Sequence, residues 1–384
     1  MPSARDGSLP WRPELAAEAA ALMEELRAVE PTALTAAVAG ECHRRMQTML
    51  DGVRAYRGVQ GKGEANLRLT SQDVVWRQGT TRLLDYGGDG VPALFVPSLV
   101  NRARVLDLTD DRSLLRWLRR HGVRPFLVDW DQPGPGERDF SLTEYIRDRL
   151  SGALDAATAA AGGPVFLVGY CMGGNLALAL ALRRQADLAG LALLATPWDF
   201  HAERAEGARL LSSLADGLEV LLRGFGELPV DILQTLFAAL DPNLAQRKFR
   251  HFADLDPAGE EAAHFVALED WVNDGVPLAA AVARECLIGW YGDNSTAQGA
   301  WLVDGQPVAP ERLRLPTLLA IPDNDRIVPA ASARALARAI PGAEVIVPPA
   351  GHIGMVVGSR GKSGLWRPLA EWLATAGQAG GATK

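Results

Sequence analysis

The sequence feature that most constrains the fold is a short apolar run that leads into a glycine-flanked cysteine. Residues 165–168 have the length and composition of a buried strand, and a Gly-x-Cys-x-Gly-Gly box follows at 169–174. An Ala- and Leu-rich segment with helical character then runs from Asn175 to Leu182. This order of strand, flanked nucleophile and helix is typical of a nucleophile elbow, with Cys in the position usually held by Ser.

The glycines and the cysteine of this box each have a physical role in such an elbow. Gly169 and Gly173 stand where a Cβ atom would separate the strand and helix backbones, and the nucleophile is held in a strained turn. Cys171 would then lie exposed at a sheet edge and at a helix N-terminus, where the positive dipole end favours the thiolate. The competing interpretation is a buried cysteine in a glycine-rich turn.

Apolar strands and helical segments alternate on both sides of the elbow. The other predicted strands are 73–76, 81–86, 93–96, 125–128, 191–195, 317–321 and 344–347. Helical patterns at 145–161 and 331–340 separate several of them. Continuous apolar strands that alternate with helices predict an α/β fold with a mostly parallel, doubly wound sheet.

The same patterns predict three parts of the chain. Residues 1–70 form an N-terminal helical segment, with loose residues at the start and a polar linker at 62–66. Residues 71–200 and 306–376 form the α/β core. Residues 201–305 carry only helical patterns and turns, which we interpret as a lid inserted over the carboxyl edge of the sheet. A helical surface for oligomerisation is the alternative interpretation of any one of these helices.

Composition limits the classes of partner and compartment. The 384 residues are 48% hydrophobic, which is enough for a large core, and a net charge of −7 argues against nucleic acid as the main partner. Cys42, Cys171 and Cys286 are far apart, which predicts neither a disulfide framework nor a metal site and fits a reducing cytosol. We see no signal peptide and no apolar run long enough for a transmembrane segment, so we expect a cytoplasmic protein.

A thiol nucleophile requires a base, and the base requires an orienting carboxylate. In elbow-containing folds the acid and the histidine follow the nucleophile, on loops after late strands. Asp325 comes directly after one predicted strand, and His352 lies between glycines after the last one. The sequence therefore predicts a catalytic triad of Cys171, Asp325 and His352. Asp323 is the alternative acid, and a surface position is the alternative for the histidine.

The chemistry of a cysteine thiolate favours transfer of acyl groups from thioesters, because that exchange is nearly neutral in energy. The tetrahedral oxyanion would accept hydrogen bonds from the N–H of Met172 and of Val100 or Asn101, in the turn after a core strand. An acyl-enzyme then partitions between water, which gives hydrolysis, and a hydroxyl group, which gives chain growth. A lid that excludes water would decide between the two outcomes.

Several of these segments together resemble the polyhydroxyalkanoate synthases, across roughly residues 75–375. The elbow box and the Asp-x-Ile-Val-Pro sequence at 325–329 are the most specific matches. The other matching segments are residues 96–102, 106–108, 111–114, 126–130, 196–200 and 351–354. Trp271 and Asp274 lie in a stretch that is similar to a lid segment of that family, although a helix-packing role suits the tryptophan equally well.

The resemblance implies an α/β-hydrolase fold and an acyltransferase that polymerises 3-hydroxyacyl-CoA, such as the 3-hydroxybutyryl thioester. Cys171 would be the acylated nucleophile, His352 its base, and Asp325 the paired carboxylate that also helps to activate the incoming hydroxyl. The implied substrate is a CoA thioester, with no cofactor. The size is similar to that of the shorter synthases that work with a second subunit. A homodimer and the surface of polymer granules are further partners that the resemblance implies.

Two other functions stay open at this point. The dienelactone hydrolases also carry a Gly-Tyr-Cys-x-Gly-Gly elbow, although they are much shorter and lack the inserted helices, so an ester, lactone, thioester or polyester hydrolase is one alternative. A weakly active granule-associated subunit is the other alternative. Arg326 favours it, because the family commonly has His directly after the acid.

Overall fold

The computed structural model describes residues 15–60, 72–203, 215–241 and 243–381. Backbone contacts divide the chain into two compact units, one from residues 1–60 with 242–265 and one from residues 61–241 with 266–384. The predicted lid at 201–305 is therefore shared between the units rather than forming one segment. The predicted linker at 62–66 and the loose first residues lie outside the described residues.

The first unit is helical, with helices Ala16–Arg27, Pro31–Val59 and Leu244–Ala253. Aromatic side chains join its two stretches of sequence. Phe252 stacks on Phe265 with ring centroids 4.4 Å apart, and Tyr56 lies 5.8 Å from Phe249. Burial of these rings is the physical reason that residues 242–265 leave the predicted lid and join the N-terminal helices.

Twelve strands lie in the described part of the second unit. In chain order they are β1 Asp73–Gln78, β2 Thr81–Asp85, β3 Val91–Val96, β4 Val123–Asp129, β5 Val165–Tyr170, β6 Leu188–Leu194, β7 Glu227–Leu228, β8 Leu278–Ala279, β9 Leu302–Val303, β10 Gln306–Pro307, β11 Thr317–Ala320 and β12 Glu344–Ile346. Eight of them form one sheet in the order β1-β2-β4-β3-β5-β6-β11-β12. The β1–β2 and β2–β4 pairs are antiparallel and the others are parallel. The predicted α/β fold is confirmed.

Both faces of this sheet bury an apolar core, as a doubly wound sheet requires. On one face, side chains from the helices Ser151–Ala161 and Met172–Arg183 pack with Leu167 of β5. On the other face, side chains from Leu114–Arg119 and Arg367–Gly381 pack with the neighbouring residues of the same strand. The remaining helical segments are Ala103–Leu106, Leu142–Glu144, Tyr145–Leu150, Gln185–Asp187, Pro310–Arg312, Ala330–Ala339, Gly354–Val357 and Lys362–Trp366.

The chain between β6 and β11 leaves the sheet and is mainly helical where it is described. Its helices outside the first unit are Ala215–Phe225, Val230–Leu240, Ala280–Arg284 and the π-helical Glu285–Gly292, and the helix Glu260–Asn273 precedes the last two. The prediction of helices and turns alone missed the ladders β7–β8 and β9–β10. Two-residue strands are too short to produce a period-2 pattern, so nothing in the amino-acid pattern indicates them. No helix among the described residues is long and apolar enough to cross a membrane.

Replacement of Gly173 by Ala tests the close approach between strand and helix at the elbow. A Cβ atom there would lie 2.1 Å from the carbonyl oxygen of Val96, a backbone atom that cannot rotate away. We expect Gly173→Ala to lower the free energy of unfolding by at least ~1–3 kcal/mol, measured by urea denaturation. Gly163→Ala is the control, because no heavy atom lies within 4 Å of its Cβ position. Equal stability of the two variants would contradict the close approach.

Candidate active site

The elbow has the strained geometry that its sequence predicts. Cys171 links β5 to the helix Met172–Arg183 with a φ of 55° and a ψ of −129°, a backbone conformation that is uncommon for a residue other than glycine. Its N–H donates to the carbonyl oxygen of Leu194 at 2.8 Å, which fixes the turn against β6. A strained non-glycine residue that the surrounding structure holds in place is characteristic of functional sites.

The predicted base and acid are hydrogen-bonded to each other. Nδ1 of His352 lies 2.7 Å from Oδ2 of Asp325, and the two side chains are only 6% and 0% exposed. The second carboxylate oxygen of Asp325 accepts the N–H groups of Ile327 and Val328 at 2.8 Å each. These bonds hold the carboxylate in one orientation, and the carboxylate in turn fixes the ring of the histidine.

His352 also interacts electrostatically with the side chain of Cys171, so the three predicted residues lie together. Burial alone would lower the pKa of His352, but the interaction with Cys171 and the hydrogen bond to Asp325 raise it to about 10. Since Nδ1 binds the carboxylate, Nε2 is the nitrogen left for the sulfur.

The order of strands explains why residues so distant in sequence meet. Cys171 follows β5, Asp325 follows β11 and His352 follows β12, and all three strands are parallel members of one half of the sheet. The carboxyl ends of parallel strands lie at the same edge, so the three loops converge there. Asp323, the alternative acid, is exposed, and its Oδ1 accepts a hydrogen bond from Asn324 instead.

The predicted oxyanion donors lie on two segments. Met172 is the first residue of the elbow helix, a position whose N–H has no partner within the helix itself. The N–H of Val100 donates to Oγ of Ser98 at 3.2 Å, so it is engaged in a turn. Asn101 forms a bridge with Gly275, and the oxygen of Val100 accepts the N–H of Val276 at 3.3 Å. Their role as oxyanion donors stays a prediction.

The insertion is attached to the loop after β3 by the residues that the sequence singled out. Nε1 of Trp271 donates to the carbonyl oxygen of Arg102 at 2.7 Å. The carboxylate of Asp274 lies 3.5 Å from Nε of Arg102 and 3.4 Å from a guanidinium nitrogen of Arg104. Trp271 and Asp274 therefore tie the insertion to the loop that carries Val100 and Asn101. Within the described ranges, no cluster of His, Cys, Asp or Glu side chains is arranged to hold a metal ion.

Comparison with known families agrees with this architecture. The family described as the alpha/beta hydrolase fold matches residues 110–359, which is more than half of the chain. This chain belongs to the alpha/beta hydrolase fold family.

Two relatives with assigned names are similar to most of this chain. A poly(3-hydroxyalkanoate) polymerase subunit PhaC of Haloferax mediterranei is 28% identical over 83% of this chain and 66% of its own length. The protein of the same name from Synechocystis sp. is 29% identical over 74% of this chain and 77% of its own. The resemblance to polyhydroxyalkanoate synthases is thereby confirmed. The chain thus spans about two thirds of the length of the Haloferax mediterranei protein.

A solved structure supports the fold alone. The thermophilic esterase of Thermogutta terrifontis superposes on 79% of this α/β hydrolase with a TM-score of 0.50 and 19% identity, and the match covers 97% of the esterase.

The unusual residue after the acid, Arg326, pairs with the carboxylate of Asp241. One of its guanidinium nitrogens lies 2.6 Å from Oδ2 of Asp241, the residue that ends the helix Val230–Leu240. The hydrogen bond between Asp325 and His352 is formed beside it. The presence of Arg326 is therefore compatible with an assembled triad.

Two residues near this site were not predicted from the sequence: one contacts His352 and the other contacts Arg326. Tyr170, directly before the nucleophile, donates from its hydroxyl to the carbonyl oxygen of His352 at 3.3 Å, and the two rings lie 5.2 Å apart. Its place inside the elbow box was the signal that could have found it. Asp241 had no signal, because its partner lies 85 residues away in the sequence.

The raised pKa of His352 predicts a pH dependence of stability. A histidine whose pKa is raised from 6.5 to about 10 on folding contributes stability that is fully present below about pH 6.5. That contribution is lost as the pH rises through about 10. We expect the stability of the wild type relative to His352→Gln to fall across this interval in urea denaturation. A difference that is constant with pH would show that the buried imidazole is not protonated.

Proposed function

We propose that this protein polymerises 3-hydroxyacyl-CoA thioesters into polyhydroxyalkanoate through an acyl group held on Cys171. The observation that carries the proposal is the hydrogen bond between Asp325 and a histidine that interacts with Cys171, in a chain whose relatives are named as poly(3-hydroxyalkanoate) polymerases. The same three side chains in an unrelated α/β hydrolase would support acyl transfer but would not indicate which group accepts the acyl chain. The names of the relatives support a hydroxyacyl group as that acceptor.

The first half of the reaction would form the acyl-enzyme. His352 accepts the proton of the Cys171 thiol, and the thiolate attacks the carbonyl carbon of the CoA thioester. The N–H of Met172, the first residue of the elbow helix, would donate to the oxyanion that develops. The bond to the CoA sulfur then breaks, and His352 returns the proton to that sulfur. One thioester is exchanged for another, so the step is nearly neutral in energy.

The second half would extend the polymer. The hydroxyl oxygen of a further 3-hydroxyacyl group attacks the carbonyl carbon held on Cys171, while His352 takes the hydroxyl proton. An ester bond forms, the carbon–sulfur bond breaks, and the proton passes to the sulfur. Asp325 stabilises the imidazolium during both halves through its hydrogen bond to Nδ1. We infer that Asp325 also assists the hydroxyl, as the family resemblance implies.

The proposed partners follow from the relatives rather than from the fold. The Haloferax and Synechocystis proteins are named as polymerase subunits, which supports a second synthase subunit as a partner of this chain. A homodimer, binding to the surface of polymer granules and a cytoplasmic location belong to the same proposal. Copurification of a coexpressed second subunit with the full chain tests the first of these partners.

Product analysis with 3-hydroxybutyryl-CoA tests the reaction. We expect the purified protein to release CoA and to form polymer. Cys171→Ala should lose activity by a factor on the order of 10⁴–10⁶, because the residue that carries the acyl group is removed. Cys42→Ala is the control, since Cys42 is an exposed thiol in the helix Pro31–Val59, and its CoA release should equal that of the wild type.

The other outcomes of this experiment identify the alternatives. Rapid CoA release with free 3-hydroxybutyrate as the sole product would assign the protein as a thioester hydrolase. Unchanged granule binding and unchanged polymer yield in cells that carry Cys171→Ala would assign a granule-associated subunit. Either result would overturn the polymerase assignment.

A further inference from the structure

The helix Val230–Leu240, which we term the strap helix, is attached at its start to the loop after β3 through an intermediate segment. Val230 packs on Gly275, where an added Cβ atom would lie only 2.6 Å from a methyl carbon of the valine. Nε2 of Gln234 donates to the carbonyl oxygen of Val272 at 3.2 Å. Residues 271–276 are in turn hydrogen-bonded to the loop after β3, through Trp271 to Arg102 and through the Gly275–Asn101 bridge. This end of the strap helix is therefore fixed to the loop after β3.

The other end of the strap helix is attached to the loop that carries the catalytic acid. Asp241 directly follows the helix, and its carboxylate pairs with Arg326 at 2.6 Å. Arg326 lies within the turn in which the N–H groups of Ile327 and Val328 hold the carboxylate of Asp325. The Arg326 side chain is 67% exposed and that of Asp241 is 13% exposed. The ion pair thus links the helix end to the acid loop at the protein surface.

The sheet order brings the two attachment points of this helix to either side of the elbow. Strands β5 and β6 lie between β3 and β11, so the loops to which the helix is tied flank the carboxyl end of β5, where Cys171 lies. Half-buried apolar side chains of the strap helix pack on the same core as Cys171 and Ile327; they are Ile232, Leu236 and Phe237. Their spacing puts them on one face of the helix. That face therefore packs on the core that Cys171 also contacts.

We propose that the Arg326–Asp241 ion pair is a latch that holds the strap helix over Cys171 and so controls how the acyl-enzyme partitions. This inference rests on the proposed function. With the latch closed, the hydroxyl of a 3-hydroxyacyl group attacks the acyl carbon, an ester forms and the sulfur is released. With the latch open, a water oxygen attacks the same carbon, the carbon–sulfur bond breaks, and the water proton passes through His352 to the sulfur. The ratio of free acid to polymer then reports the state of the latch.

An exposed ion pair has the right strength for this role. Such pairs contribute little to stability and are screened by salt, so one can open and close without unfolding the core. The apolar contacts of Ile232, Leu236 and Phe237 keep the helix associated with the rest of the unit while the latch is open. Substrate and growing polymer need repeated access to Cys171, which a permanently fixed helix would prevent.

Alkylation of Cys171 by iodoacetamide tests the latch independently of the chemistry of the reaction. We expect Arg326→Gln and Asp241→Asn each to raise the alkylation rate of Cys171 by about two- to five-fold, the range that an exposed ion pair supports. Peptide mass spectrometry separates Cys171 from the exposed Cys42, whose rate should not change. Salt raised from about 0.1 M to about 1 M should increase the Cys171 rate in the wild type but not in Arg326→Gln.

The charge-swapped variant, with Arg326→Asp and Asp241→Arg together, separates a latch from a direct electrostatic effect on the triad. A latch is restored by the swap, so the alkylation rate should return to the wild-type value. A direct effect of the positive charge on Asp325 or His352 would instead be reversed and would not be restored. Arg54→Gln is the matched control, because Arg54 forms an exposed pair with Asp51 at 2.8 Å within the helix Pro31–Val59. Its alkylation rates should equal those of the wild type.

The same variants are then assayed with 3-hydroxybutyryl-CoA. We expect Arg326→Gln and Asp241→Asn to raise the ratio of free 3-hydroxybutyrate to polymer by about two- to five-fold, and the swap to restore it. Wild-type rates of alkylation in both single variants, or a swap that restores nothing, would overturn the latch whatever the product. A wild type that forms no polymer would overturn the proposed function, while the alkylation rates would still decide the latch.

Discussion

The buried hydrogen bond between His352 and Asp325 is the interaction on which the rest of the site depends. A charged imidazole is costly to place inside a protein, and burial alone opposes it. The carboxylate of Asp325 on one side and the sulfur of Cys171 on the other reverse that cost. Asp325 can do so because two backbone N–H groups hold it in place. The acid loop therefore stabilises the charged imidazole near a sulfur that follows a strand two positions away in the sheet.

The sheet determines where the three loops of the site meet, and the insertion is attached to a neighbouring loop. Parallel strands bring the three loops of the triad to one edge, whereas contacts of Trp271 and Asp274 bring the insertion to the loop after β3. The elbow depends on close backbone contact, because Gly173 lies against the carbonyl oxygens of Val96 and Pro97. Cys171 and His352 thus lie on loops of one sheet, and ion pairs connect parts of the insertion to neighbouring loops.

The strands of the eight-stranded sheet could be predicted from the sequence, because each is marked by a short apolar run. The strands that flank Cys171 are apolar and bounded by turns, so their positions agree with the structure to within three residues. The sequence did not predict that residues 242–265 belong with the N-terminal helices. The ring contact between Tyr56 and Phe249 joins segments that are distant in sequence, and such a contact produces no periodic pattern. The proximity of Cys171, Asp325 and His352 could be predicted because each residue follows a predicted strand of the sheet. The Arg326–Asp241 pair could not be predicted, because a charged residue in the sequence does not identify its partner.

The discontinuous helical unit has a consequence for how the chain is made. Its first two helices emerge from the ribosome early, yet the rings of Phe249, Phe252 and Phe265 that pack with or near Tyr56 are synthesised about two hundred residues later, at roughly 5–20 residues per second. During that interval β1 to β6 have already been translated. Until those rings are synthesised, the surface of Tyr56 that they cover in the folded unit is exposed to water.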